Sequence, residues 1–458
     1  MSSVQLTALP YSPDSANWFA LISQYRQPVW LDSGRPQSIY GRFDIISANP
    51  DLIITTSGMH TRVQDHLGNQ LQVSAENPIQ VLQSYQLAAT TPRPETPFTG
   101  GFMGYFAYDL GRRFERLPEQ AKADIAIPEM DVGRYLWAIV QDHEHKKAWL
   151  VQHPQANIDA ELLQKIQFHD LKQNLNFDKK SFNINSFKES INVDDYLKNI
   201  DKIRHYIEAG DCYQVNFAQR FTATYQGDPL VAYLELRQSV PSPFSAFYRT
   251  AHASILSLSP ERFIAVQDGK AETRPIKGTI ARGKTPDEDQ RNARWLQQST
   301  KNKAENLMIV DLLRNDLSKH CDAVKVPALF SLQSFANVHH LVSIVEGQLR
   351  PGTHPLQVLQ DGFPGGSITG APKIRAMEII EELEPTRRSV YCGSLGYVSA
   401  DGNMDTNIAI RTLVCADGKI HCWGGGGIVA DSDPNEEYQE SLTKVGLFMK
   451  TLEEKFSG

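Results

Sequence analysis

The sequence predicts a large α+β fold in which antiparallel sheet carries helices on its outer faces. Three observations carry this. Strand-like and helix-like segments come in clusters rather than in strict βαβ alternation. Asp268-Gly269 lies between two strand-like runs, a two-residue hairpin signal that joins antiparallel neighbours. The helical patterns bring their own start and stop residues.

In chain order, short apolar strands such as Leu52 to Thr55 and Ala148 to Gln152 alternate with turn chemistry up to about Phe187. Residues 168–193 are rich in Asn and Lys and poor in core anchors. They read as a connection, part of it a surface loop, between an N-terminal region (1–187) and a C-terminal region (188–458). Asp194 to Glu208 shows a helical stripe through Tyr196, Ile200, Ile203 and Ile207, with Asp194 as candidate cap and Gly210 as stop. Strands are expected at 253–258, 262–267 and 270–276, then helices near 287–298 and 302–315. Two more helices should begin at Ala371-Pro372 and Asp433-Pro434, each with proline in the first turn. No internal repeat or low-complexity tract interrupts the chain.

Composition bounds the function. The 458 residues are 41% hydrophobic and 22% charged, ordinary values for a chain with a sizeable core. A net charge of -7 gives no reason to expect nucleic acid or an anionic membrane as partner. The five cysteines form no Cys-x-x-Cys pair and read as buried thiols. The first residues lack the basic start and apolar run of a signal peptide, and nothing approaches the roughly 20 apolar residues of a membrane span. A cytoplasmic protein is expected.

Several residues could carry chemistry. Glu305, Met308, Ile309, Leu312 and Leu313 follow the spacing of one buried helix face. A carboxylate in such a stripe needs a metal or a basic partner, and spacing leaves both open. Asp311 and Arg314 read as a structural i, i+3 pair. Glu437 and Glu440 share one face of the last helix. They could bind magnesium, or Glu440 could pair with Lys444 on an exposed face. Gly424 to Gly427 could bring backbone N–H groups to an anion or form a flexible turn; no Lys-Ser/Thr follows, so this is no nucleotide loop. The loop from Phe363 to Lys373 could bind a carboxylate where it opens a helix, or Ser367 or Thr369 could simply cap it.

Lys277 lies at a strand end, where a lysine is ordinarily solvated; as a nucleophile it would have to be neutral. Glu261 could move protons or pair on the surface. His340, after His339, could act as acid or base or be structural. Arg411 interrupts the apolar run Ile408 to Leu413 and could hold a carboxylate bidentately or face solvent.

Taken together and in order, these segments resemble the chorismate-utilising enzymes. The carrying motifs are Gly210-Asp211-Cys212-Tyr213-Gln214-Val215-Asn216, Ser259-Pro260-Glu261-Arg262, Pro275-Ile276-Lys277-Gly278-Thr279, and Ala304-Glu305-Asn306 through Asp311. His340-Leu341-Val342-Ser343, Gly370-Ala371-Pro372-Lys373 and the loop from Gly425 to Ser432 complete the set. The resemblance is strong from Asp194 onward and weaker before it.

The resemblance implies a magnesium enzyme acting on chorismate. Glu305 and Glu440 would bind the metal directly, with Glu437 beside it. Tyr391, Arg411 and the backbone of Gly425, Gly426 and Gly427 would hold the enolpyruvyl carboxylate. Thr279 and Thr369 would line the site, and Lys444 would contact substrate. His340 would assist departure of the 4-hydroxyl or position it, and Glu261 would transfer protons. Lysine at 277 marks the branch that aminates chorismate at position 4 through a covalent lysine adduct; the anthranilate-forming branch, the main alternative, carries alanine there. No cysteine sits in a Gly-x-Cys-x-Gly elbow, so ammonia would come from a separate glutamine amidotransferase subunit. Leu31-Asp32-Ser33, Tyr40 to Phe43 (with Gly41 and Arg42) and Pro243-Phe244-Ser245 resemble the family's tryptophan pocket, departing from its usual Leu-Glu-Ser.

Overall fold

The computed structural model describes residues 3–38, 41–169, 171, 181–335 and 338–457. Two antiparallel sheets dominate, of thirteen and twelve strands among the described residues. The first sheet runs Gln5–Leu9, Lys147–Gln152, Trp137–Asp142, Phe43–Ser47, Val29–Asp32, Phe244–Arg249, Ser254–Ser259, Thr412–Ala416, Lys419–Ile428, Gln214–Gly227 and Phe182–Ile184, with Lys188–Glu189 and Gly370–Ala371 also paired on Gln214–Gly227. The second runs Ile276–Ala281, Val338–Leu349, Lys270–Thr273, Arg262–Gln267, Met404–Ile408, Ser394–Ser399, Gly101–Phe106, Met130–Tyr135, Leu52–Ser57, His60–Asp65 and Gln70–Ser74, with Cys321–Ser334 also paired on Val338–Leu349. Both sheets are continuous across residue 187. Apolar side chains such as Tyr105, Val132, Ile255 and Ile309 form one large core, and among the described residues no helix is long and apolar enough to cross a membrane.

Most expected elements form. Asp268 and Gly269, at φ of 51° and 75°, close the hairpin between Gln267 and Lys270. Asp433 caps the helix Pro434–Phe456, accepting from the N–H groups of Asn435 and Glu436. All five cysteines are buried and free. Asp311 pairs with Arg314 at 3.0 Å.

Local chemistry explains the differences. Asn192, not Asp194, caps the helix Val193–Glu208, because its side chain reaches the Asp195 N–H. The helix near 371 starts at Lys373: Gly370-Ala371 instead pair as a short strand with Gln214 and Val215, and Pro372 only precedes the helix. The strand expected over 270–276 ends at Thr273 and resumes at Ile276 after Arg274-Pro275. The run Ile408 to Leu413 is likewise two strands, one in each sheet, and Arg411 sits in the crossover at φ 49°. Of the connection at 168–193, residues 170 and 172–180 lie outside the described residues. Phe182–Ile184 and Lys188–Glu189 pair along the strand Gln214–Gly227.

Candidate active site

Lys277 is presented by a β-bulge. Ile276 faces Val342 and Thr279 faces His340 on the neighbouring strand, so three steps on one strand oppose two on the other. The extra residue falls at Lys277-Gly278, and Gly278 takes φ 84°, which strains any residue with a Cβ. A bulge re-aims a side chain, and here it sets Lys277 among charges. Lys277 is half-buried in a recess that burial makes costly for an ammonium, so its pKa is lowered. Glu305 counters this by its charge, Lys444 reinforces it, and Glu261 and Glu440 oppose it.

Glu261 occupies a second crossover, between Ser254–Ser259 of one sheet and Arg262–Gln267 of the other. The two crossovers brace each other: the Ile408 N–H donates to the Glu261 carbonyl at 3.0 Å, and the Leu258 N–H to the Arg411 carbonyl at 2.9 Å. Burial pushes the Glu261 carboxyl up to about 7, against the Ser367 hydroxyl, which donates to its Oε1 at 2.9 Å. Ser367 is therefore no helix cap, and neither is Thr369, whose hydroxyl donates to the Gly365 carbonyl at 3.0 Å. Burial also lowers the pKa of Arg411, with Glu261 acting in the opposite sense.

His340 is buried, and burial together with the Arg411 charge pushes its pKa down to about 3. Its Nδ1 lies 2.7 Å from Thr279 Oγ1, the cross-strand neighbour. His339 is structural, bonded to Ser334 and Asp289. Tyr391 is buried and stacks flat on Trp423, with ring centroids 5.6 Å apart. Lys373, in the glycine-rich loop motif, turns away to Asp316 and the Gly362 carbonyl.

The carboxylates come from two helices. On Thr300–Ser318 the buried face is Asn306, Ile309, Val310, Leu313 and Leu317, so the stripe expected through Glu305, Met308 and Leu312 is rotated. Those three sit at its half-buried edge, and Glu305 and Met308 line an open cavity of about 430 Å³ with Tyr213, Lys301 and Val429. Glu437 is buried; its Oε1 accepts from Ser432 Oγ at 2.7 Å and lies 4.0 Å from Lys301 Nζ. Glu440 is reached by water and pairs with Lys444 at 2.7 Å. Burial raises the pKa of Glu305 and Glu437. It raises Glu440 too, but the Lys444 charge and hydrogen bond outweigh it and the net shift is downward.

Gly424 to Gly427 form neither a turn nor a loop. They lie within the strand Lys419–Ile428, where added Cβ atoms would overlap Ser441, Phe217 and Gln214. At Gly426 a Cβ would stand 2.9 Å from Glu437 Oε2 and 3.4 Å from Glu440 Oε1. Two carboxylate oxygens thus face one space that only glycine leaves open, with Glu305 close enough to feel the Glu440 charge. Hard oxygen donors and mutual repulsion suit a divalent cation such as magnesium. Among the described residues, no three His, Cys, Asp or Glu side chains already form a metal cluster.

A second cavity, of about 240 Å³, is lined by Ser33, Gly41, Arg42, Phe43, Pro243, Phe244 and Ser245, together with Arg262 and Asp405. Tyr40 lies outside the described residues. Ser33 Oγ is buried without a partner among them.

Sequence reasoning overlooked Lys301 beside Glu437 and read Ser367 as a possible cap rather than a partner of Glu261. Its position in a loop packed on a crossover carries no periodic signal.

A lysine and two glutamate-bearing helices converge where two sheets exchange strands, a concentration of buried charge typical of an enzyme site. The chain belongs to the chorismate binding enzyme family, whose model matches residues 26–450. It is 45% identical to aminodeoxychorismate synthase component 1 of Escherichia coli (strain K12), over 98% of this chain and 99% of that one. Identity to the Klebsiella aerogenes protein of the same name is 44%, over 99% and 100%. Anthranilate synthase component I from Streptococcus pneumoniae TIGR4 superposes with a TM-score of 0.78 at 31% identity, covering 90% of this chain and 93% of that one.

Proposed function

We propose that this chain is the synthase component of an aminodeoxychorismate synthase, aminating chorismate at position 4. The carrying observation is Lys277, raised on a bulge among Glu261, Glu305 and Glu440 in a recess that favours its neutral amine. Near-full-length identity to component 1 relatives supports the same reading.

The Lys277 amine attacks the ring at position 2 and forms a C–N bond. Both conjugated ring double bonds shift by one position toward C4, the C4–O bond breaks, and the hydroxyl departs as water after taking a proton. Glu261, poised near 7, is suited to give that proton. Ammonia then attacks position 4, both double bonds shift back, the C2–N bond breaks, and Lys277 leaves as the amine after regaining the proton it lost on attack. His340 stays neutral at working pH and positions rather than protonates. Tyr391 and Arg411 orient the enolpyruvyl carboxylate, with the backbone of Gly425 to Gly427; Thr279 and Thr369 line the site. Magnesium, held by Glu305 and Glu440 with Glu437 beside them, would supply charge neutralisation and polarisation of the ring carboxylate. Ammonia comes from a glutamine amidotransferase partner. The second cavity is suited to tryptophan, and a calorimetric titration without heat would remove that part.

The test is a product assay with chorismate, magnesium and ammonium. Para-aminobenzoate that appears only when aminodeoxychorismate lyase is added supports 4-amination. Fluorescent anthranilate in its place overturns it.

A further inference from the structure

The Glu440 oxygen that faces Gly426 is Oε1, and Oε1 is the atom paired with Lys444 Nζ at 2.7 Å. Lys444 Nζ also donates to the Gly425 carbonyl at 2.7 Å. Lysine and glutamate stand one helical turn apart on Pro434–Phe456, so the helix itself sets their approach. The other carboxylates are held differently. Glu437 Oε2 also faces the Gly426 space, while its Oε1 is engaged by Ser432. Lys301 stays 4.0 Å from Glu437 and makes no hydrogen bond there. One ammonium thus occupies the oxygen that a divalent cation would need, fastened at a second point by backbone.

We propose that Lys444 is an internal competitor for the divalent cation: its ammonium holds Glu440 Oε1 until the metal displaces it. This rests on the reading of Glu305, Glu437 and Glu440 as the metal site. Two consequences follow from mass action. The apparent metal affinity is lowered by the stability of the Lys444–Glu440 pair. Metal binding also releases a cation beside the Gly425 carbonyl, free to meet a carboxylate of the substrate, so metal and anion bind cooperatively and reciprocally.

The experiment is a magnesium titration of the full chain by calorimetry, with manganese paramagnetic resonance as a second readout. Wild type, Lys444→Met, Lys444→Arg and Lys301→Met are compared, and circular dichroism checks the fold of each. Lys444→Met should tighten binding about 3- to 5-fold, the upper part of the range for an ion pair reached by solvent. Lys444→Arg should stay near wild type, and Lys301→Met should change affinity by about twofold or less. Unchanged or weaker binding by Lys444→Met overturns the proposal, as does equal tightening by Lys301→Met, which would mean general charge alone. Metal binding by wild type with no gain in Lys444→Met leaves the metal site standing and removes only the competitor. No binding by any of the four removes the metal site and the competitor together.

Discussion

Ser367 Oγ donates to Glu261 Oε1 at 2.9 Å, joining a glycine-rich loop to the crossover between two sheets. The bond favours the charged carboxylate, while burial favours the neutral acid and prevails, leaving Glu261 near 7. Ser367→Ala removes the restraining donor, so the pKa rises further. If protonated Glu261 is the acid, the alkaline limb of the pH–rate profile moves up by about 0.5–1 unit, the equivalent of one lost hydrogen bond. An unmoved limb would assign the proton transfer elsewhere.

The same group predicts a stability difference. The folded-state pKa of Glu261, about 7, lies above the ordinary 4.5. Its contribution is full below 4.5 and is lost as pH rises through 7, because the unfolded chain releases the proton that the folded chain keeps. The loss is on the order of 3 kcal/mol. Glu261→Gln should therefore gain thermal stability over wild type at pH 8 and little at pH 5, while losing activity. A Tm difference independent of pH would contradict this.

Lys277→Ala should form no adduct with chorismate, and 4-amination should fall by at least about 10³-fold. Residual amination should move to position 2. Intact-protein and product mass spectrometry read both effects, and full 4-amination by the variant would exclude a nucleophilic lysine.

Gly278→Ala tests the bulge. Its φ of 84° is left-handed, and a Cβ would meet the Asn302 side chain at 2.9 Å and Leu296 at 3.0 Å. Destabilisation of about 1–2 kcal/mol is expected from the backbone alone. Activity should fall more than stability does, because Lys277 is re-aimed. A folded variant with wild-type kcat would show that the bulge does not position the lysine.

Thr279→Val removes the hydroxyl 2.7 Å from His340 Nδ1. Loss of this one orienting bond should lower kcat by about tenfold and leave KM nearly unchanged. No change in kcat would make the pair structural.

Much of this was legible in the chain. The Asp268-Gly269 hairpin, the Asp433 cap and the apolar stripe through Tyr196, Ile200 and Ile203 depend on neighbours within a few residues, and they formed as read. The motifs around Glu261, Lys277, Glu305 and Glu440 pointed to one family because their order and residue types are specific. Less local features were not legible. Helical spacing made Glu305 part of a buried stripe, yet packing chose the face one residue over and left Glu305 on the cavity wall. The four consecutive glycines read as loop, but they pair as strand with residues 216–219, and the backbone of Ser441 and Phe217 and the side chains of Glu437 and Gln214 approach too closely for any Cβ.

By itself, then, the sequence determined an antiparallel α+β chain, its main helices and hairpin, and its membership of a family of chorismate binding enzymes. These follow from short-range backbone preferences and from residue identity. Only the tertiary structure decided that Lys277 rides on a bulge, that Glu261 and Arg411 face each other at paired crossovers, and that Lys444 holds the Glu440 oxygen beside Gly426. Burial and charge act through space, between groups as far apart in the chain as Lys277 and Lys444, so no reading along the sequence could assign them.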